Sequence, residues 1–179
     1  MKINKNSITP NLENCNFIER FVFSRIYFNV LKKVKKENFK IIFDFGSGYR
    51  NLNKINLKSY KFKYQDYDII RDKGQILRRI CKLQPDTLFI SINVFMYLDN
   101  KLILNILKIL KKNKIKMILN ISKNYPLRFI LFLFFKSYKN AFVSTKSYAS
   151  QMRLVNKYYN TIYKKDMFFS DILFCEPKN

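Results

Sequence analysis

The sequence contains no histidine and no tryptophan, and it has only three cysteines and three glycines. Histidine is the commonest general base and metal ligand, so its absence argues against histidine-based catalytic triads and against zinc sites. The cysteines, Cys15, Cys81 and Cys175, are widely spaced and form no C-x-x-C pair. This spacing predicts neither a disulfide framework nor a metal site.

The sequence also lacks an apolar run long enough to span a bilayer. Its most hydrophobic run, Phe129–Phe135, is too short for this and lies between Arg128 and Lys136. The segment Met1–Asn16 is polar and has no apolar core of the kind that a signal peptide needs. These features predict a cytoplasmic protein without a transmembrane segment, and they leave peripheral membrane contact open.

Acidic residues are scarce as well. There are 12 of them against 35 lysines and arginines, which gives a formal net charge of +23. Such a charge suggests nucleic acid or an anionic membrane as a partner. However, lysine outnumbers arginine by 27 to 8, and asparagine, isoleucine, phenylalanine and tyrosine, which share AT-rich codons with lysine, are frequent too. Readers of phosphates and bases favour arginine. We therefore attribute the charge of this basic protein mainly to an AT-rich genome, and nucleic acid is the less favoured partner.

The few glycines are concentrated in one turn. Gly46 and Gly48 follow an apolar, β-rich run that begins at Ile41, and Asp44 stands two residues before the first glycine. Glycine is needed where the backbone takes a positive φ or approaches a ligand closely. Between a buried strand and a helix, such a turn forms a notch lined with backbone N–H groups. The turn therefore indicates a cofactor site, with an ordinary strand-to-helix connection as the structural alternative.

Hydrophobic periodicity predicts alternating helices and strands in a chain of 179 residues, which is long enough for one globular unit with its own core. Predicted helices cover 17–36, 73–83, 101–112, 127–138 and 146–159. Predicted strands cover 40–45, 60–65, 86–93, 115–121, 161–169 and 171–175, the last two as an antiparallel pair. This alternation predicts a mainly parallel sheet with helices on both faces.

The glycine turn resembles motif I of the class I S-adenosylmethionine (SAM)-dependent methyltransferases, an apolar run followed by D-x-G-x-G-x-G. Asp44, Gly46 and Gly48 match this pattern, and Arg50 replaces the third glycine. The segment Phe89–Leu98 is similar to the family's segment at the end of the fourth strand. The resemblance covers about residues 40–176.

The resemblance implies a Rossmann-like three-layer sandwich with a mainly parallel sheet that ends in an antiparallel strand pair. The stretch between Asp66 and Thr87 has room for a helix but hardly for a full third strand as well, so an abbreviated third-strand region is expected. Residues 1–39 would be a tail and a leading amphipathic helix. Residues 40–179 would be the methyltransferase-like domain.

The resemblance further implies SAM as the cofactor. Asp66 would bind both ribose hydroxyls, because a carboxylate can accept two such hydrogen bonds at once, and Asp68 is the alternative. Asp72 is either an acid on the adenine side or a helix cap. The full set of predicted cofactor-binding residues is Asp44, Gly46, Ser47, Gly48, Asp66, Ser91 and Asn93.

The methyl acceptor is less constrained. No (D/N)-P-P-(Y/F) motif follows the fourth predicted strand, so an amino-methylating DNA enzyme is not expected. A small molecule or a glycan or lipid precursor is the expected acceptor, and Tyr125–Tyr138 lies where such folds often carry acceptor contacts. The general base is unassigned, with Asp99, Tyr97 and Lys123 as unranked candidates. Two further hypotheses remain: a basic RNA-binding or RNA-modifying protein, and a non-catalytic relic or partner subunit with this fold.

Overall fold

The computed structural model describes residues 12–13, 15–37, 39–54, 62–68, 75–123, 147–167 and 169–179. The helix predicted over 127–138, the aromatic stretch Tyr125–Tyr138 and Asp72 lie outside these described residues.

Helices and strands alternate along the described chain. The helices are α1 (Phe17–Lys36), α2 (Asn51–Lys54), α3 (Ile76–Ile80), α4 (Asn100–Lys112) and α5 (Tyr148–Asn156). The strands are β1 (Ile41–Phe45), β2 (Lys63–Tyr67), β3 (Thr87–Ile92), β4 (Lys116–Ser122), β5 (Tyr159–Asp166) and β6 (Ser170–Pro177). A short 3-10 helix, Phe95–Tyr97, follows β3.

Side-chain caps start the three longest helices. Asn16 accepts from the backbone N–H of Glu19 and begins α1. Asp99 accepts from the N–H of Leu102 at 2.6 Å and begins α4. Ser147 caps α5 in the same way. These caps satisfy N–H groups that have no partner inside the helix, which fixes where each helix begins.

The strands form one six-stranded sheet in the order β2-β1-β3-β4-β6-β5. The first four strands of this order are mutually parallel, and β6 is antiparallel to both β4 and β5. The carboxyl ends of β1 to β4 therefore meet at one edge, called here the carboxyl edge. In the part of the chain that the structure describes, β2 is the outermost strand on its side. Residues 69–74, in the stretch where an abbreviated third-strand region is expected, lie outside the described residues.

Two apolar layers cover the sheet. One face packs against α1 and Leu52 of α2, through side chains such as Ile42, Leu88 and Ile90. The opposite face packs against α3, α4 and α5. The arrangement is the predicted three-layer sandwich, because alternate residues of each central strand enter opposite layers.

The second strand is a partial correction of the sequence prediction. The predicted strand 60–65 ended before an acidic turn, whereas β2 runs through Asp66 and ends at Tyr67. Tyr67 stays in the strand because its ring stacks on Phe45, with centroids 5.7 Å apart, and its side chain is buried. Asp66 thus belongs to the strand, directly opposite Asp44 of β1.

The closing strand pair confirms the prediction for the end of the chain. The predicted runs 161–169 and 171–175 correspond to β5 and β6, which pair antiparallel from Tyr159↔Pro177 to Asp166↔Asp171. Both observed strands begin earlier than predicted, since Tyr159 and Ser170 are themselves buried in the sheet.

Candidate functional site

The glycine turn lies at the carboxyl edge between β1 and α2. Gly46 and Gly48 have φ values of 79° and 50°, in the left-handed region that glycine adopts at little cost. The N–H groups of Gly46 and Ser47 both donate to the carbonyl of Tyr67, at 2.7 and 3.2 Å. The end of β2 therefore fixes the conformation of the turn.

Gly46 also allows two loops to approach each other. A Cβ atom at this position would lie 3.1 Å from Val94 Cγ1 and closer still to Cγ2. Because Val94 directly follows the turn after β3, the missing side chain brings the β1 and β3 loops into contact. Both the φ angle and this contact require glycine at position 46.

Asp66 lies beside the glycine turn, as its predicted role requires. Its Oδ2 accepts from the Ser47 hydroxyl at 3.2 Å and from Arg50 Nε at 2.9 Å. The Asp66 side chain is 18% exposed and that of Arg50 is 50% exposed. The structure thus brings together Gly46, Ser47 and Asp66 and adds a cation, Arg50, on the same carboxylate.

Arg50 replaces the third glycine of the motif but keeps a glycine-like backbone. Its φ is 56°, which is left-handed. This conformation costs a non-glycine residue roughly 1–2 kcal/mol. The departure from the motif therefore changes the side chain and not the path of the chain.

Asp44 is buried behind the turn. Its carboxylate accepts from the hydroxyl of Tyr64 at 2.5 Å. Burial raises the pKa of Asp44 to about 7, although the Tyr64 hydrogen bond lowers it, and the nearby charge of Asp66 raises it further. Asp44 therefore sits within the fold as a support for the turn, with Tyr64 of β2 as its partner.

Ser91 and Asn93 occupy different environments. Ser91 lies one residue before the end of β3, paired with Phe45 of β1. It is buried, and its hydroxyl has no hydrogen-bond partner among the described residues. Asn93 has a φ of 57° and its Oδ1 accepts from the Ser122 hydroxyl at 2.8 Å. The contact ties the turn after β3 to the end of β4, which gives Asn93 the turn role that asparagine commonly takes.

Among the candidate bases, Tyr97 lies in the 3-10 helix after β3, and the side chains of Asp99 and Lys123 contact neighbouring groups. Asp99 is the N-cap of α4. Lys123 contacts Asp166 Oδ2 at 2.5 Å and Asp171 Oδ1 at 3.1 Å. Burial lowers the pKa of Lys123, but the hydrogen bonds that it donates to these carboxylates raise the pKa above its ordinary value overall. Lys123 is therefore held as a cation and is poorly suited to act as a base.

A buried polar cluster at the same edge was missed by sequence reasoning. Asp171 of β6 is fully buried and contacts Lys123, Lys164 and the hydroxyl of Tyr148. Burial raises the pKa of Asp171, but the hydrogen bonds from these three groups outweigh it and hold the pKa below its ordinary value. The signal that could have revealed it is an acid directly before the apolar run Ile172–Cys175, since a charge buried with such a run needs partners.

Tyr64 and Arg50 were likewise not predicted as parts of the site. Tyr64 could have been found from alternation, since it stands two residues before Asp66 and shares its face of β2. Arg50 was recognised only as a missing glycine, and its ion pair with Asp66 depends on the tertiary arrangement.

Comparison with known proteins supports the fold and not a closer relationship. No protein-family model matches the sequence, and no curated protein matches it either. Magnesium protoporphyrin IX methyltransferase (ChlM) from Synechocystis PCC 6803, crystallised with S-adenosylhomocysteine (SAH), has a TM-score of 0.61 and 14% identity, over 96% of this chain and 91% of that chain. The PH0226 protein from Pyrococcus horikoshii OT3 has a TM-score of 0.68 and 14% identity, over 97% and 96%. The methyltransferase domain of bacterial-CtHen1-CN has a TM-score of 0.59 and 15% identity, over 88% and 100%.

The chain therefore has the fold of the class I SAM-dependent methyltransferases, as the glycine turn predicted. Among the residues that the structure describes, no helix combines the length and the apolar composition that crossing a membrane requires.

Proposed function

We propose that this protein is a SAM-dependent methyltransferase whose cofactor site is the carboxyl edge around Gly46. The observation that carries the proposal is the contact between Ser47 and Asp66, at 3.2 Å, beside a turn in which two glycines have positive φ. A glycine turn at the carboxyl ends of parallel strands, with an adjacent carboxylate, suits the methionine and ribose parts of this cofactor.

The residues fit the cofactor with one adjustment. Asp66 is a carboxylate at the end of β2, partly exposed and next to the turn, as a ribose diol requires. Its Oδ2 already accepts from Arg50. Because the Arg50 side chain is half exposed, it can turn into solvent, and we propose that it does so when the ribose binds.

Bound SAM would supply an electrophilic methyl group on a sulfonium. In this proposal the protein mainly positions the cofactor and the acceptor relative to each other. Gly46, Ser47 and Gly48 hold the methionine part, Asp44 supports the turn from behind, and Asp66 binds the ribose. Ser91 and Asn93 line the methyl side of the site. Such positioning contributes to methyl transfer by orienting the reactants rather than by acid–base chemistry.

We propose a small molecule or a glycan or lipid precursor as the acceptor. The neighbours themselves differ in this respect: one is named for magnesium protoporphyrin IX and another, at a TM-score of 0.51, for N-acetylserotonin. The sequence contains no histidine that could act as a base. Asp99 caps α4, and Lys123 is paired with carboxylates. We therefore expect an acceptor atom that needs little help in losing its proton.

The test is calorimetric titration of the protein with SAH. We expect saturable binding that Asp66→Ala weakens by about 1.5–3 kcal/mol, the range for hydrogen bonds to a charged group. Asp68→Ala is the matched control, because Asp68 is the next acid along the chain and the alternative ribose ligand. Asp68→Ala is expected to leave SAH affinity unchanged.

Two results would contradict the proposal. Wild-type protein that gives neither heat nor a thermal shift with millimolar SAH does not bind the cofactor. Equal losses of SAH affinity from Asp66→Ala and Asp68→Ala would contradict the assignment of Asp66 as the ribose ligand. Gly46→Val, which would clash with Val94, is informative only where the variant still folds.

A non-catalytic protein with this fold is the second candidate, and the Arg50–Asp66 ion pair favours it. If the guanidinium keeps the carboxylate permanently, the ribose cannot bind and the protein would serve as a partner subunit. RNA binding is the third hypothesis, and no contact among the described residues selects it over the other two.

A further inference from the structure

The outward face of α1 carries three exposed phenylalanines. Phe17, Phe21 and Phe28 are 82%, 57% and 64% exposed. On a helix with 3.6 residues per turn they fall within an arc of about 40° and extend along about 16 Å of the axis. We call this set the phenylalanine face. Isolated exposed apolar residues are ordinary, whereas three large ones in a row indicate a binding surface.

Cations border the phenylalanine face. Arg25, Lys32 and Lys36 are exposed on the same side of α1. The only acidic residue within the helix, Glu19, is buried on the opposite side. The exposed side of α1 is thus apolar at its centre, basic along its flank and free of acidic side chains.

The orientation of α1 places this face near the candidate site. A link of four residues joins α1 to β1, so the helix runs antiparallel to the strand and begins at the carboxyl edge. Two contacts agree with this direction: Tyr27 OH lies 3.4 Å from Asn51 Nδ2, and Glu13 pairs with Lys54 of α2 at 2.9 Å. Phe17 and Phe21 therefore lie towards the edge that carries the glycine turn.

We propose that the phenylalanine face docks the protein onto the surface of an anionic lipid bilayer. A helix lying in the bilayer interface buries phenylalanine side chains among the acyl chains, while its lysines and arginines attract anionic head groups. The opposite side of α1 is anchored in the protein core, so the helix presents a fixed surface rather than inserting as a whole. Docking in this way brings the carboxyl edge close to the membrane. The proposal does not depend on whether the protein transfers a methyl group.

A bilayer fits the face better than RNA does. In an RNA-binding face, cations would lie at the centre and contact phosphates. Arginine would be frequent among them, because its guanidinium can donate two parallel hydrogen bonds to a phosphate. Here the centre is apolar, and the guanidinium of Arg20 donates to the backbone carbonyls of Leu12 and Glu13.

The absence of tryptophan makes a direct test possible. Phe21→Trp introduces a single tryptophan into the face. We expect its fluorescence to shift to the blue on addition of phosphatidylcholine vesicles that contain phosphatidylglycerol, and to stay unchanged with phosphatidylcholine alone. Ile162→Trp is the matched control, because Ile162 is 53% exposed but lies on β5, and its emission should not shift.

Cosedimentation with the same vesicles measures the strength of docking. Replacing Phe17, Phe21 and Phe28 by serine is expected to weaken binding at least about tenfold, because three interfacial apolar side chains are lost. Arg25→Gln with Lys32→Gln should weaken binding to the anionic vesicles and make the remaining binding less sensitive to salt than that of the wild type. All five side chains are exposed, so these variants are expected to remain folded, as circular dichroism can confirm.

The proposal is overturned if wild-type protein fails to sediment with anionic vesicles, or if the triple serine variant sediments equally well. An unchanged emission of the Phe21→Trp protein in bound samples would place the contact elsewhere on the molecule. Salt-sensitive RNA binding that the arginine and lysine changes abolish, without vesicle binding, would assign the surface to nucleic acid instead.

Discussion

Arg50 is the residue at which the candidate site departs from the glycine motif. It adopts the left-handed backbone of the glycine that it replaces and adds an ion pair with Asp66. The backbone conformation disfavours arginine, and the pair, with one half-exposed partner, contributes only about 0–1 kcal/mol. Arg50 is therefore held weakly enough to move.

Two substitutions at this position separate the effects of backbone and charge. Arg50→Ala removes the guanidinium but keeps the cost of a left-handed φ at a non-glycine residue. Arg50→Gly removes both the guanidinium and that cost. We expect both variants to bind SAH up to about fivefold more tightly, since Asp66 is released from a pair of this strength. Arg50→Gly should also be more stable to urea than Arg50→Ala by about 1 kcal/mol.

Titration calorimetry and urea unfolding of the two variants measure these effects. Weaker SAH binding by both variants would mean that the guanidinium contacts the ligand itself. Equal urea stability of the two variants would contradict the left-handed conformation of residue 50.

At the scale of elements, the closing hairpin depends on one buried acid. Asp171 lies inside β6 and joins three parts of the fold: Lys123 after β4, Lys164 on β5 and Tyr148 on α5. A buried carboxylate with three partners stabilises the structure only while all of them are present.

Asp171→Asn is therefore expected to destabilise the protein by about 1–3 kcal/mol, because the amide can satisfy only part of these contacts. Asp166→Asn is the matched control. It removes a carboxylate that also contacts Lys123 but is 66% exposed, so its effect should stay within about 1 kcal/mol. Urea unfolding measures the stability of the two variants. Equal losses of unfolding free energy would contradict the proposed contribution of the Asp171 cluster to stability.

Most elements of the fold could be predicted from the sequence, because their apolar periods are strong and their caps are local. Helix α1 was predicted with the observed bounds, and α4 was predicted to within one residue. Strand β2 was predicted too early, since the stacking of Tyr67 on Phe45 is a contact between strands that no local pattern reveals. The resemblance joined the glycine turn and Asp66 in one candidate site. Alternation could also have indicated Tyr64, whereas the ion pair of Arg50 with Asp66 depends on the tertiary arrangement.

For the whole molecule, the buried carboxyl of Asp44 links stability to pH. Burial raises the pKa of Asp44 from its ordinary value of 3.8 to about 7, so the folded state keeps a proton that the unfolded chain releases. This contribution to stability is therefore fully present below about pH 4 and is lost as the pH rises towards 7, by on the order of 1 kcal/mol per pH unit.

Asp44→Asn removes this titration and keeps an oxygen that can accept from Tyr64. We expect the urea stability of the wild type to fall more steeply than that of the variant between pH 5 and pH 7. The comparison is made between the two proteins because other ionisable groups of a chain with a net charge of +23 also make its stability depend on pH. Parallel pH curves for the two proteins would contradict the buried, protonated state of Asp44.

Strand β5 has a consequence for the behaviour of the protein in concentrated solution. Among the described strands it is the outer one beyond β6, where unpaired backbone groups could recruit a strand from another molecule. Its pairing is irregular between Thr161 and Tyr163, and Lys164 and Lys165 are exposed on it. A bulge twists the backbone away from a flat edge, and neighbouring lysines repel an identical edge. These two features of β5 disfavour the pairing of its edge with the same edge of another molecule.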